Sequence, residues 1–312
     1  MIRLIRLLII FILFYSPLSF AQKITHVIYI TLDGTRWQDI FMDHTKFPKL
    51  WSLYANQGTF YGAPNSGHTM EVASIPVSLP SYHSQMAGKV QLCENNDCGR
   101  IQVETLAENI LHRLELNKKE VATFASWPSI ALSVEHIPKT TYVNAGNLPV
   151  YDPETEQADA TMHNLNEQQM LDHPHNKDRY DKYTFAQALH YFEKYHPQFL
   201  WISFDDADDA AHAGDLKRYH QALSFYDESL DTLFVKLKQM KLDEQTLVIV
   251  TTDHGRGDGK NWTHHNNHYP ESKKTWAFVR NGVLKPSTQE GRNNHYSTLS
   301  IRTTIENILS IA

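Results

Sequence analysis

Apolar positions along the chain follow two alternating periods. Short runs rich in aliphatic and β-branched residues read as buried strands at His26–Leu32, Val121–Ser126, Phe199–Phe204, Leu247–Thr252 and Thr275–Arg280. Between them, helical spacing predicts helices over Val103–Lys118, Tyr183–His196, Leu216–Met240 and Ser300–Ile311. Thr105 and Glu108 have the spacing of a capping box at the start of the first helix. Pro197 stops the second. Strands alternating with helices predict an α/β fold: a doubly wound, mostly parallel central sheet with helices on both faces. Residues 146–182 break the rhythm. They are polar and read as a long surface excursion near the functional site. No internal repeat is visible.

The first 21 residues differ from the rest. Arg3 and Arg6 precede the apolar run Leu7–Tyr15, and Ser19-Phe20-Ala21 puts small residues at both cleavage-specifying positions. This reads as a signal peptide over residues 1–21, cut after Ala21, with residues 22–312 as one domain. The run is short for a span of about 20 residues, and no later stretch could cross a bilayer. A soluble periplasmic or secreted protein is expected. Cys93 and Cys98 bracket a polar turn, and in an oxidising compartment they predict a local disulfide. No His lies near them in sequence, so the pair does not point to a metal site.

Composition changes the picture in two ways. The formal net charge of −6 argues against a nucleic-acid-binding surface. The 18 histidines gather in the second half beside aspartates, which suggests metal chemistry.

Four segments carry that chemistry. Asp33-Gly34 ends the first strand. Ser78-Leu79-Pro80-Ser81-Tyr82-His83 lies between the first and second strands. Asp208-Asp209-Ala210-Ala211-His212 follows the third strand and puts Asp208 and His212 one helical turn apart. Asp253-His254-Gly255-Arg256-Gly257 follows the fourth, with Trp262-Thr263-His264-His265 beyond it. Each alone has a plain reading as a turn, a surface pair or a cap. In open α/β sheets, however, the functional site lies at the carboxyl ends of the strands, so these segments can converge.

Together they resemble the alkaline phosphatase superfamily of binuclear metallohydrolases, which includes nucleotide pyrophosphatase/phosphodiesterases, phosphatases and sulfatases. Asp33-Gly34-Thr35-Arg36-Trp37-Gln38-Asp39-Ile40-Phe41 and Asp253-His254-Gly255-Arg256-Gly257 are close to motifs of a compact bacterial branch. The resemblance implies an alkaline-phosphatase-like catalytic domain with two divalent transition metals, Zn²⁺ before Mn²⁺ or Fe. One metal would take Asp208, His212 and His265; the other Asp33, Asp253 and His254, with the Ser78 oxygen as a further ligand. His265 is preferred to His264 because it closes a Trp-Thr-x-His pattern, although Asn266 follows where the family has Gly. His268 is a more distant alternative.

Ser78 is the implied nucleophile, activated by metal and passing through a phosphoseryl intermediate to hydrolyse a small phosphate ester. Ser81 stands where the phosphodiesterase branch often has a phosphoryl-binding Asn. Arg36 and Arg256 are candidate phosphate ligands, with structural pairing to a carboxylate as the alternative. His68 and His83 read as satisfied loop histidines. Trp37, Trp51, Trp127 and Tyr82 could form a slot for a second ester group. Tyr82 replaces the Arg of the sulfatase pattern, which disfavours a sulfatase. A phosphotransferase or mutase and a non-catalytic exported metal- or anion-binding protein stay as alternatives.

Overall fold

The computed structural model describes residues 23–63, 68–173, 177–281 and 294–311. The expected signal peptide lies outside the described residues. The described residues form nine strands: β1 (His26–Leu32), β2 (Gly58–Tyr61), β3 (His68–Glu71), β4 (Val121–Ala125), β5 (Tyr142–Ala145), β6 (Phe199–Phe204), β7 (Thr246–Thr251), β8 (Ala277–Arg280) and β9 (Asn294–Ser297). Seven form one sheet in the order β2-β8-β7-β1-β6-β4-β5. The run from β7 to β5 is parallel, and β8 is antiparallel to both its neighbours. β3 and β9 pair separately in parallel. The α/β architecture has the expected mostly parallel sheet.

Side chains alternate across β1 with period two. Ile28, Ile30 and Leu32 enter a core with the helices Asp181–Tyr195, Asp206–His212 and Leu216–Gln239. Val27 and Tyr29 enter a second core with the helices Ser78–Ala87, Leu106–Arg113 and Ser300–Leu309. Both faces are covered, which is why the central strands read as unbroken apolar runs. No helix among the described residues is long and apolar enough to cross a membrane.

Two helical regions differ from the sequence reading. The helix expected over Val103–Lys118 spans only Leu106–Arg113, although Thr105 and Glu108 make both bonds of the capping box. Its end is set locally: Glu115 takes φ +52°, the Leu116 amide bonds back to the Leu111 carbonyl, and Asn117 with Glu120 caps a new turn. The polar excursion also contains a helix, Ala160–Leu171, capped by Asp159. Only Met162 and Gln169 on it are buried, so no apolar stripe announced it.

The sheet order positions the site. β1 lies between β6 and β7, with Leu32 opposite Phe204 and Thr31 opposite Thr251. The residues that follow these strands, Asp33, Asp205–Asp208 and Asp253–His254, therefore leave the same edge of the sheet side by side.

Candidate active site and metal centre

The site is assembled from three adjacent strand ends and one helix start. Ser78 is the first residue of the buried helix Ser78–Ala87, which ends at Gly88 in the left-handed conformation. Its Oγ lies 3.3 Å from His254 Nε2. His254 is fully buried, and its Nδ1 is 2.9 Å from the Gly255 carbonyl, which fixes the ring proton there. The Nε2 lone pair then faces Asp253 Oδ2 at 3.2 Å and Asp33 Oδ1 at 3.6 Å. Neither of those buried carboxylate oxygens accepts a hydrogen bond. Asp33 Oδ2 accepts from Tyr82, and Asp253 Oδ1 accepts from the Gly34 amide. Three potential ligand atoms thus converge in a buried site that leaves two carboxylate oxygens without a hydrogen-bond partner, an arrangement that a proton or a cation relieves.

The second group lies beside the first. Asp208 Oδ2 is 3.1 Å from His212 Nε2, which is 3.0 Å from His265 Nε2. His265 Nδ1 lies 2.9 Å from the Pro76 carbonyl, so its Nε2 also presents a lone pair. The His265 ring stacks on His254 with centroids 3.9 Å apart. Potential ligand atoms of Asp33, Asp253 and His254 lie within 4.8 Å of one another, as do those of Asp208, His254 and His265. His264 is instead exposed and stacks on Tyr269, and His268 turns toward Asn266. All seven residues expected to hold metal are therefore brought together.

The charge balance points the same way. Burial, then the neighbouring carboxylates, raises Asp33 well above the ordinary Asp range, and burial with Asp208 pushes Asp253 up to about 6. Burial pushes His254 down to about 4 and, with His254 beside it, His265 down to about 3. Near neutral pH both rings are uncharged acceptors, the state a metal ligand needs.

Three candidate substrate residues have other roles. The Ser81 hydroxyl donates to the Asp253 carbonyl at 2.6 Å and accepts from Gln85, while its amide bonds the Val77 carbonyl. It pins the Asp253 loop to the helix that begins at Ser78, and its hydroxyl proton is already used. Arg36 is held by both oxygens of Asp39, at 2.8 and 2.9 Å. Arg256 is fully buried and pairs through Nη2 with Asp208. Gly34, at φ +60°, makes room for that pair: a Cβ there would lie 2.3 Å from Asp208 Oδ1 and 2.9 Å from Arg256 Nε. Nor do the aromatics converge on one open slot. Tyr82 is fully buried, Trp51 is sandwiched between His44 and Phe60, Trp37 bonds Glu271, and Trp127 packs on the second core.

The structure adds residues that spacing did not single out. Asn96 Oδ1 accepts from the Leu79 amide at 3.0 Å, placing a carboxamide one residue from Ser78. Asp205 brings a ligand atom within reach of Asp33 and Asp208. Asp181 accepts from the amides of Asp205 and Asp206, each at 2.8 Å, and from Tyr226 and Ser126. It caps the short helix that carries Asp208 and His212. Asn96 and Asp181 lie in polar tracts with no periodic signal.

Asn266 occupies the position after His265 with φ +140°, where residues other than Gly are strained. Asn266→Gly is expected to stabilise the fold by about 1 kcal/mol net of the added chain entropy. Thermal unfolding checks this; an unchanged or lower midpoint would show that the strain is absent.

The chain matches the family described as type I phosphodiesterase / nucleotide pyrophosphatase over residues 49–298. It belongs to that family and, with it, to the alkaline phosphatase superfamily. No curated protein matches the chain. Among solved structures, alkaline phosphatase PafA superposes with a TM-score of 0.66 at 9% identity, covering 92% of this chain and 96% of that one. Ps i-CgsB, solved with k-i-k-neocarrahexaose, gives 0.61 at 16% identity over 93% and 73% of the two chains. The alkaline phosphatase of the Antarctic bacterium TAB5 gives 0.54 at 11% identity over 93% and 99%. At these identities the likeness is one of fold. Family and fold together make the chain a phosphoester-hydrolase-type enzyme.

Proposed function

We propose that this protein is an exported, metal-dependent phosphodiesterase that uses Ser78 as its nucleophile. The observation that carries the reading is the convergence of Asp33 Oδ1, Asp253 Oδ2 and His254 Nε2, two of them buried carboxylate oxygens without a hydrogen-bond partner, next to Ser78 Oγ. Asp33, Asp253, His254 and Ser78 would hold one divalent cation, and Asp208, His212 and His265 a second. Bound there, such cations would lower the pKa of the serine hydroxyl and neutralise charge on the phosphoryl oxygens and the leaving oxygen. Carboxylates mixed with imidazoles suit Zn²⁺, with Mn²⁺ or Fe as alternatives.

The chain's own groups account for the rest. Ser78 Oγ bonds phosphorus as the ester oxygen leaves, and water then hydrolyses the phosphoserine. The N-terminus of a ten-residue helix favours the phosphoryl charge at this position. Asn96 orients the phosphoryl group through its carboxamide. His265 and His254 keep their Nε2 atoms free because backbone carbonyls hold their Nδ1 protons.

A diester substrate is favoured because a monoester brings one more negative charge, Arg36 is committed to both oxygens of Asp39, and Arg256 is fully buried with its Nη2 on Asp208. Export is supported by the amino-terminal sequence and by the disulfide between Cys93 and Cys98. The test is hydrolysis of matched nitrophenyl diester and monoester phosphates by zinc-loaded protein. Faster diester turnover, abolished by a chelator and restored by zinc, is expected. A chelator-resistant rate would remove the metal reading, and a faster monoester would make the enzyme a phosphatase.

A further inference from the structure

The nucleophile helix and the loop after it bring together a second cluster of side chains with metal-ligating chemistry, outside the active site. His83 is only 3% exposed, and its Nδ1 lies 4.0 Å from Cys98 Sγ. Cys93 is also buried. Ligand atoms of His83, Cys93 and Cys98 all lie within 4.8 Å of one another. The sequence hid this, because His83 is ten residues from the nearer cysteine; the fold of the helix and the following loop brings the three together. The cysteines have the four-residue separation found in structural zinc sites. His83 also interacts with the Leu132 backbone, and its Nδ1 is the ring nitrogen that faces the cysteines. Burial pushes His83 down to about 4, leaving a neutral imidazole.

We propose that His83, Cys93 and Cys98 form a redox-gated site for a thiophilic divalent cation, filled when the disulfide is reduced. Reduction by a phosphine breaks the S–S bond with two electrons. The sulfurs gain two protons, and the phosphine takes up oxygen from water to become its oxide. Binding of the cation then releases both protons, giving two thiolates and one imidazole as ligands with a fourth position for water. Disulfide and metal clasp the same loop. That loop holds Asn96 on the Leu79 amide, one residue from Ser78, so either clasp keeps the carboxamide in place.

Cobalt(II) titration of the phosphine-reduced full chain tests this, because thiolate-to-cobalt charge-transfer absorption in the near ultraviolet reports sulfur ligation alone. The chain has only these two cysteines, so the active-site cluster cannot produce the band. The expected result is a saturable band in reduced, folded protein. It should be absent from the oxidised protein and from Cys98→Ser, and formed at least about tenfold more weakly in His83→Ala. His83→Gln serves as a second variant, with far-ultraviolet circular dichroism as the check on folding. No band in folded reduced protein would overturn the proposal, as would unfolding on reduction or a band of unchanged affinity in the folded His83 variants.

Discussion

Ser78→Ala is expected to lower phosphate-diester hydrolysis by at least about 10³-fold while leaving metal content near that of the parent protein. The separation of the two effects is the informative part. Ser78 would be one ligand among several, and Asp33, Asp253 and His254 still converge when its oxygen is removed. The helix should persist, because Pro80 and the Ser81 amide set its first turn without the Ser78 hydroxyl. Steady-state kinetics with metal analysis on the same sample checks both halves. Retained activity would remove Ser78 as nucleophile. Lost activity together with lost metal would make it chiefly a ligand.

The second large effect is expected at Asp253. Asp253→Asn keeps an oxygen for the Gly34 amide but removes the charge facing His254. Metal affinity should fall by more than about 100-fold, and activity with it. Without metal, the same variant should be more stable than the parent near pH 7. Burial and the Asp208 charge push Asp253 up to about 6, above its value in the unfolded chain. The folded state therefore holds this proton more tightly, and the contribution is lost as pH rises from about 4 through about 6. The Asn variant lacks that loss. In the parent protein, a bound metal would have to displace the Asp253 proton below pH of about 6, so affinity should climb toward that pH. Metal titrations from pH 5 to 8 and thermal unfolding in chelator separate these effects. A flat affinity profile would contradict the assignment of Asp253.

The central strands were legible because both faces are buried and their apolar runs are unbroken, as at His26–Leu32 and Phe199–Phe204. The four-residue strands β2, β3, β5 and β9 carry too little pattern to stand out. Asp33, Asp208, His212, Asp253 and His254 are named through the resemblance of their motifs to a known family, and the parallel neighbours β1, β6 and β7 bring those motifs together at one edge of the sheet. Ser81 and Arg256 show the limit of spacing. Both lie beside the site, but only side-chain direction shows that one braces the Asp253 backbone and the other pairs with Asp208. His83 failed for a related reason: its relation to Cys98 depends on how the loop folds back, which no local period encodes.

The central claim is that Ser78 attacks phosphorus and that water acts only on the resulting phosphoserine. Two successive in-line displacements restore the original configuration, whereas direct attack by water inverts it. The most direct test is therefore hydrolysis of a chiral phosphate ester, isotopically labelled at phosphorus oxygens, with the product configuration read by phosphorus NMR. Net retention is the predicted result. Net inversion would contradict the account.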